Sequence, residues 1–117
     1  FVLAKVRHER FTAAFILLFL VEEQGCGTDL LKKLENLVPG PRYDRAIIYR
    51  TLQALEKEGM VKLVWHNPEP GPAKKNYTIT EKGLDALTEH TKDVDFRYKS
   101  ISFFIKRYDK LINKGIL

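Results

Sequence analysis

The stretch DRAIIYRTLQALEKEGM, residues 44–60, decides the fold. Its apolar side chains repeat at the spacing of one face of an α-helix, which predicts a buried stripe. Asp44 stands where an N-cap carboxylate accepts hydrogen bonds from the first-turn amides, and Gly59 stands where a helix ends. We therefore predict a helix from Asp44 to about Glu58. Its buried stripe comprises Ile48, Leu52 and Leu55, and its other faces carry Arg45, Tyr49, Arg50, Gln53 and Lys57.

A β-hairpin is predicted directly after this helix, because the apolar period changes from helical to two. Residues 60–66 alternate between two faces, and we assign Trp65 to packing within this first strand. Residues 67–72, NPEPGP, predict a long, stiff loop at the tip, since this composition fits neither a strand nor a helix. Residues 75–79 predict the second strand, with Tyr77 on its apolar face.

Two further helices are predicted before the deciding stretch. Residues 11–23 are apolar nearly all round, so this helix is buried on most sides, and a chain this short can hardly cover it alone. A second subunit is therefore expected. After two glycines, a helix from about Thr28 to Val38 carries one apolar stripe, and Pro39-Gly40-Pro41 ends it. Helix capping is the expected role of Thr28.

The final helix, capped by Thr80, carries a seam of apolar residues spaced 4, 3, 4, 3 and 4 apart from Val94 to Ile112. Two packing helices need such a seam, and the chain has no later helix to supply a partner. We therefore predict a homodimer. The predicted interface residues are Phe11, Phe15, Phe19, Val94, Tyr98, Ile101, Phe104, Ile105, Tyr108, Leu111 and Ile112.

The order of these elements is that of a winged helix-turn-helix. The predicted fold is mainly α with a small β-hairpin wing. We divide the chain into a DNA-binding domain over residues 1–79 and a C-terminal dimerisation helix over residues 80–117. In this fold the third helix can lie in a major groove about 12 Å wide and present its first turn to base edges.

Three segments in order resemble the PadR-like transcriptional regulators. GTDLLKKLE, residues 27–35, is similar to the second helix of that family. AIIYRTLQALEKEGMV, residues 46–61, resembles its recognition helix and the exit into the wing, and KKNYTITEKG, residues 74–83, resembles its second wing strand and the entry into the last helix. The resemblance spans about residues 15–87. It implies a prokaryotic homodimeric repressor with a positively charged wing, a recognition-helix tyrosine near the DNA backbone and a dimerising C-terminal helix.

A DNA-contacting surface is predicted around the third helix and the wing. We expect Arg45 or Arg50 to pair with guanine and Gln53 with adenine, because these side chains match those base edges. Lys74 and Lys75 are expected to contact phosphates of the DNA backbone. Thr28 and Lys32 are further backbone candidates. The predicted DNA-binding residues are Arg42, Arg45, Ala46, Ile47, Tyr49, Arg50, Gln53, Lys74 and Lys75.

Composition agrees with a polyanionic partner and excludes several classes of protein. The 117 residues carry a net charge of +5, and residues 41–79 alone have seven basic against four acidic side chains. One cysteine, Cys26, excludes an intramolecular disulfide and a Cys-rich zinc module. We expect no enzyme activity, no cofactor, no metal site and no membrane span, and a cytoplasmic location. The chain begins at Phe1, and we expect further residues before it; no signal peptide is expected.

Two other functions stay open. The same fold can bind a protein or a polymer-granule surface instead of DNA, and such a module would carry an acidic or apolar recognition face. Aromatic residues of the first and last helices, including Phe96 and Phe103, can instead line a pocket for a small apolar or aromatic effector at the dimer interface. Double-stranded DNA is favoured over both, because Arg45 and Arg50 lie on the recognition face.

Overall fold

The computed structural model describes residues 2–40, 42–67 and 71–117, with the backbone alone for residues 2–10. Half of the predicted tip loop, Pro68–Pro70, lies outside the described residues, and so does Pro41. Mainly helical, with one antiparallel hairpin, the chain has the predicted winged helix-turn-helix order. The elements are α1 (Val2–Glu22), α2 (Gly27–Leu37), α3 (Arg45–Lys57), β1 (Val61–His66), β2 (Lys74–Ile79) and α4 (Glu81–Asn113).

The core lies where α1, α2, α3 and the hairpin meet. The predicted stripe of α3 is confirmed, since all three of its residues are buried. Ile16 of α1, Leu34 of α2 and Leu52 of α3 have no exposed surface, and burial of side chains this size stabilises a fold by about 1.5–3 kcal/mol each. The other members of the core are Leu17, Phe19, Leu20, Leu30, Tyr43, Ile48, Leu55, Val61 and Tyr77.

Helix α3 begins as predicted, whereas α2 does not. The Asp44 carboxylate Oδ1 accepts a hydrogen bond from the Ile47 amide at 2.9 Å, and Gly59 follows the helix with a positive φ of 78°. The N-cap of α2 is Cys26, which is extended, and Thr28 already lies inside the first turn. The prediction that Thr28 caps this helix is wrong, because the chain becomes helical at Gly27.

Helix α1 is longer than predicted and is covered unevenly. It begins at Val2 rather than near Phe11. Phe19 is only 7% exposed and packs in the core of its own chain, which corrects its assignment to a dimer interface. Phe15 is half-buried, and Leu18 and Val21 remain 46% and 48% exposed. Over residues 11–22, the helix is therefore buried on one side and exposes an apolar strip on another.

The hairpin has one face on the core only near its base. Val61 pairs with Ile79 and Leu63 with Tyr77, and these side chains are buried or half-buried. Tyr77 also exchanges two backbone hydrogen bonds with Gly25, at 2.8 and 3.3 Å, which attaches the wing to the segment before α2. Trp65 is 57% exposed, so its predicted role in packing is wrong: the strand extends past the core before it reaches this residue.

The entry to α4 is organised by Thr80, as predicted. The Thr80 hydroxyl donates towards the carbonyls of Gly59 and Met60, at 2.7 and 3.0 Å, and accepts from the Gly83 amide at 3.1 Å. One side chain therefore links the turn between α3 and β1 to the first turn of α4.

The chain forms two compact units, Phe1–Leu87 and Thr88–Leu117. The second unit consists mainly of the distal part of α4, where salt bridges join Arg97 to Asp93 and Lys99 to Asp95 along the helix. All eight predicted seam residues between Val94 and Ile112 are exposed in this unit. In the described part of the chain, no helix is apolar over enough of its length to cross a membrane.

Candidate nucleic-acid interface

The outward face of α3 carries exposed cationic and amide side chains. Arg45, Arg50 and Gln53 are exposed, because the helix is held in the core by the opposite stripe. Ile47 is half-buried. Its carbonyl accepts a hydrogen bond from the Thr51 hydroxyl at 2.7 Å, so the hydroxyl proton of Thr51 is used within the helix. A shallow concavity of about 260 Å³ on this face is lined by Ile47, Arg50, Thr51 and Ala54.

A groove runs between the first turn of α2, the side of α3 and the wing. It has a volume of about 410 Å³. The groove brings together Tyr49, Lys74 and Lys75, which sequence analysis placed on separate elements. Its lining residues are Cys26, Gly27, Thr28, Asp29, Lys32, Tyr49, Lys74 and Lys75. We call this feature the wing groove.

The wing groove holds one acidic group among three lysines. Asp29 has a pKa below its ordinary value, first because the Cys26 thiol donates a hydrogen bond to it. Burial opposes this shift, and the Cys26 amide, 3.4 Å from Asp29 Oδ2, together with the charges of Lys74 and Lys32, lowers the pKa further. Asp29 therefore stays ionised at neutral pH, and the three lysines leave the groove with a positive balance.

Replacing Cys26 with alanine should raise the pKa of Asp29, because the largest cause of its lowering is the thiol hydrogen bond. A lowered native pKa stabilises the fold above the unfolded pKa, and that stabilisation disappears as pH falls through the native value. The variant should therefore lose less stability on acidification. A carboxyl-carbon NMR titration of Asp29 measures the shift directly. An unchanged pKa would show that the thiol donates elsewhere.

Two further residues predicted to bind DNA, Ala46 and Arg42, lie outside the wing groove. Ala46 is exposed on the first turn of α3, beside Arg45. Arg42 lines a separate concavity of about 230 Å³ with residues from the end of α2, so it does not share the wing groove.

Sequence analysis missed the partnership between Trp65 and Lys75. The two residues are cross-strand partners in the hairpin, and the Lys75 ammonium lies 5.9 Å from the centre of the Trp65 ring. This distance allows a cation–π interaction. The signal was present in the hairpin pattern, because a tryptophan and a lysine equidistant from the tip must face each other once the register is known.

Among the described residues, no three histidine, cysteine, aspartate or glutamate side chains are grouped so as to hold a metal ion.

Comparison with solved structures shows the same fold. A PadR family transcription regulator from hypervirulent Clostridium difficile R20291 is 19% identical, with a TM-score of 0.72 over 81% of this chain and 98% of that one. A transcriptional regulator from Clostridium thermocellum is 20% identical, with a TM-score of 0.70 over 81% and 90%. Bacillus subtilis PadR in complex with operator DNA is 24% identical, with a TM-score of 0.61 over 68% and 45%.

No curated protein matches the sequence. The model of a protein family described as "Transcriptional regulator PadR-like family" matches residues 16–89, which include α2, α3, the hairpin and the start of α4. This match covers more than half of the 117 residues and contains all three segments on which the resemblance rested. The chain belongs to the PadR-like family of transcriptional regulators.

Proposed function

We propose that this regulator binds double-stranded DNA as a homodimer and represses transcription from a pseudo-palindromic operator. The observation that carries the proposal is the position of the cationic side chains. Arg45 and Arg50 are exposed on α3, and Lys74 and Lys75 line the groove beside it. An exposed helix with a basic wing at its side has the shape and charge to enter a major groove and hold the flanking backbone.

The two sets of contacts have different roles. Arg45, Arg50 and Gln53 on α3 would read base edges and so select the site. Lys74 and Lys75 would contact phosphates, which adds affinity that depends on salt but not on sequence. Tyr49, 39% exposed at the edge of the wing groove, would contact the backbone between the two sets.

The dimer is supported by the seam of α4. Its apolar residues are exposed, and Phe104 stacks on Tyr108 with ring centres 6.4 Å apart, which extends one continuous apolar face. Pairing two copies through this face would present two recognition helices to one duplex. The centres of the half-sites are then expected about 34–36 Å apart, or at a small multiple of one helical turn.

Release by an effector belongs to the same proposal. The distal part of α4 exposes several aromatic rings, of which Phe96 and Phe104 are 70% and 68% exposed. A small apolar or aromatic molecule bound at the dimer interface would favour a dimer geometry that no longer matches the spacing of the grooves. A thermal-shift screen of planar aromatic compounds and fatty acids, followed by DNA titration with any compound that stabilises the protein, tests this step.

Substitutions in α3 and in the wing should weaken DNA binding in two distinguishable ways. Fluorescence anisotropy with DNA from upstream of the protein's own gene, at several salt concentrations, measures both. Lys75→Ala should weaken binding to all sequences alike and reduce the salt slope by about one, because a phosphate contact is lost. Arg50→Ala should cost about 1–3 kcal/mol on the preferred site and narrow its advantage over other DNA.

Lys57→Ala is the matched control, because Lys57 is an exposed lysine in the last turn of α3, far from the turn that meets the bases. Its salt slope should equal that of the wild type. Wild-type binding that is absent or insensitive to salt would overturn the DNA proposal and favour a protein or polymer surface as the partner. The two assigned roles would be reversed if Lys75→Ala changed the preference between DNA sequences and Arg50→Ala weakened binding to all sequences alike.

A further inference from the structure

Gly27 is the residue of the wing groove that carries no side chain, and the structure shows what occupies the space. A Cβ atom at this position would lie 2.6 Å from Cε1, 2.9 Å from Cζ and 3.2 Å from the hydroxyl oxygen of Tyr49. Two carbon atoms in van der Waals contact lie about 3.5–4.0 Å apart, so the two distances to ring carbons are too short for a side chain to fit. The phenol ring of Tyr49 therefore rests directly on the backbone at the start of α2.

Backbone conformation does not explain the glycine. The φ angle of Gly27 is not positive, so an alanine can adopt the same backbone there. Gly27 is the first residue of α2, directly after the N-cap Cys26, so the helix itself does not require glycine there. The Tyr49 ring is the group that a side chain at this position would displace.

The ring position matters because of where it leaves the hydroxyl. Tyr49 shares the wing groove with Lys74 and Lys75 of β2, and it lies near enough to Tyr77 to raise the pKa of that buried phenol, after burial itself and Glu56. The hydroxyl therefore belongs to a residue that lines the same groove as the two lysines, on a partly exposed surface. A neutral donor and two cations in one groove form a donor set that suits one phosphate of a nucleic-acid backbone.

We propose that Gly27 is a positioning residue for DNA binding: its missing side chain lets the Tyr49 ring lie on α2, so that the Tyr49 hydroxyl, Lys74 and Lys75 together hold one backbone phosphate. This inference rests on the proposed function and assigns a specific phosphate site within it. The site requires an unsubstituted backbone in α2, a ring from α3 and cations from the wing, so it depends on three elements at once.

A double-mutant cycle tests the inference, with anisotropy on the same DNA and salt series. Gly27→Ala should weaken binding about ten- to hundredfold, as expected for the loss of one hydrogen bond to a charged group. The salt slope should not change, since no cation is removed. In a Tyr49→Ala background the ring is absent, and adding Gly27→Ala should change affinity by less than about twofold.

Two further variants keep the test decisive. Tyr49→Phe preserves the ring on α2 and removes the hydroxyl alone, so it should reproduce most of the loss without any change in folding. Gly25→Ala is the matched control, because a Cβ there would meet the Asp29 side chain only at an ordinary 3.7 Å, and binding should be retained. Thermal melts should show that Gly27→Ala still folds, because the Tyr49 ring that it displaces is 39% exposed and can turn towards solvent.

The failures of the inference and of the proposed function are distinct. Absence of wild-type binding overturns both. A second outcome separates them: the wild type binds DNA, and Gly27→Ala has the same effect with and without the Tyr49→Ala substitution. This outcome would support the DNA-binding function and overturn the positioning role. The positioning role is also overturned if Gly27→Ala unfolds the protein and Tyr49→Phe binds DNA as tightly as the wild type.

Discussion

Replacing Ile105 with glutamate should convert the proposed dimer into a monomer. Ile105 lies in the middle of the exposed seam of α4 and is 52% exposed in the isolated chain. Pairing would bury its side chain, and a carboxylate there would lose water without gaining a partner. We expect the dimer dissociation constant to rise on the order of 100-fold, which corresponds to about 3 kcal/mol. Light scattering should show the mass fall from twice 13.6 kDa towards 13.6 kDa.

Lys106→Glu provides the control on the neighbouring position. Lys106 is exposed on the same helix but about 100° away from Ile105 around the axis, outside the seam. Its substitution changes the charge by two instead of one, so it is the larger electrostatic perturbation, and the dimer should persist. A monomeric wild type, or equal dissociation of both variants, would remove the seam as the interface.

Gly83→Ala should destabilise the first unit by about 3 kcal/mol. A Cβ at Gly83 would lie 2.2 Å from the Met60 carbonyl oxygen and 2.7 Å from Cγ1 of Ile79. The Met60 carbonyl belongs to the backbone that Thr80 also ties down, so it cannot move freely. Overpacking a rigid site costs about 1–3 kcal/mol or more. Chemical denaturation monitored by far-ultraviolet circular dichroism measures the loss.

The direction of this effect separates packing from helix propensity. Gly83 lies inside α4, where alanine is intrinsically favoured by about 1 kcal/mol, so propensity alone predicts a gain in stability. Gly25→Ala, whose Cβ meets only the Asp29 side chain at 3.7 Å, should stay within about 0.5 kcal/mol of the wild type. A stabilised Gly83→Ala protein would show that the contacts with Met60 and Ile79 are looser than described.

The sequence was sufficient for the order of the elements, because local signals and apolar periods agreed. The cap at Asp44, the stop at Gly59 and the Thr80 entry into α4 are all short-range chemistry. The start of α2 was misplaced by one residue because cysteine is an unusual N-cap and threonine is a common one. Residue patterns favour the common cap.

The burial of the two misassigned aromatic residues, Phe19 and Trp65, is decided by tertiary geometry. A helix that is apolar nearly all round does not reveal which side faces its own core, so Phe19 could not be separated from Leu18 by sequence. The exposure of Trp65 depends on how far the hairpin extends beyond the core. The wing groove likewise depends on the backbone exchange between Gly25 and Tyr77, which joins segments about 50 residues apart and leaves no periodic signal.

The contact between Trp65 and Lys75 gives the molecule an optical reporter of its own. Trp65 is the single tryptophan among the 117 residues, so indole emission from this protein arises from one site on the wing. A phosphate that draws the Lys75 ammonium away from the ring would change the electrostatic field on the indole and its access to iodide. Occupancy of the wing can then be followed in unlabelled protein, and it can be timed separately from dimer formation through α4.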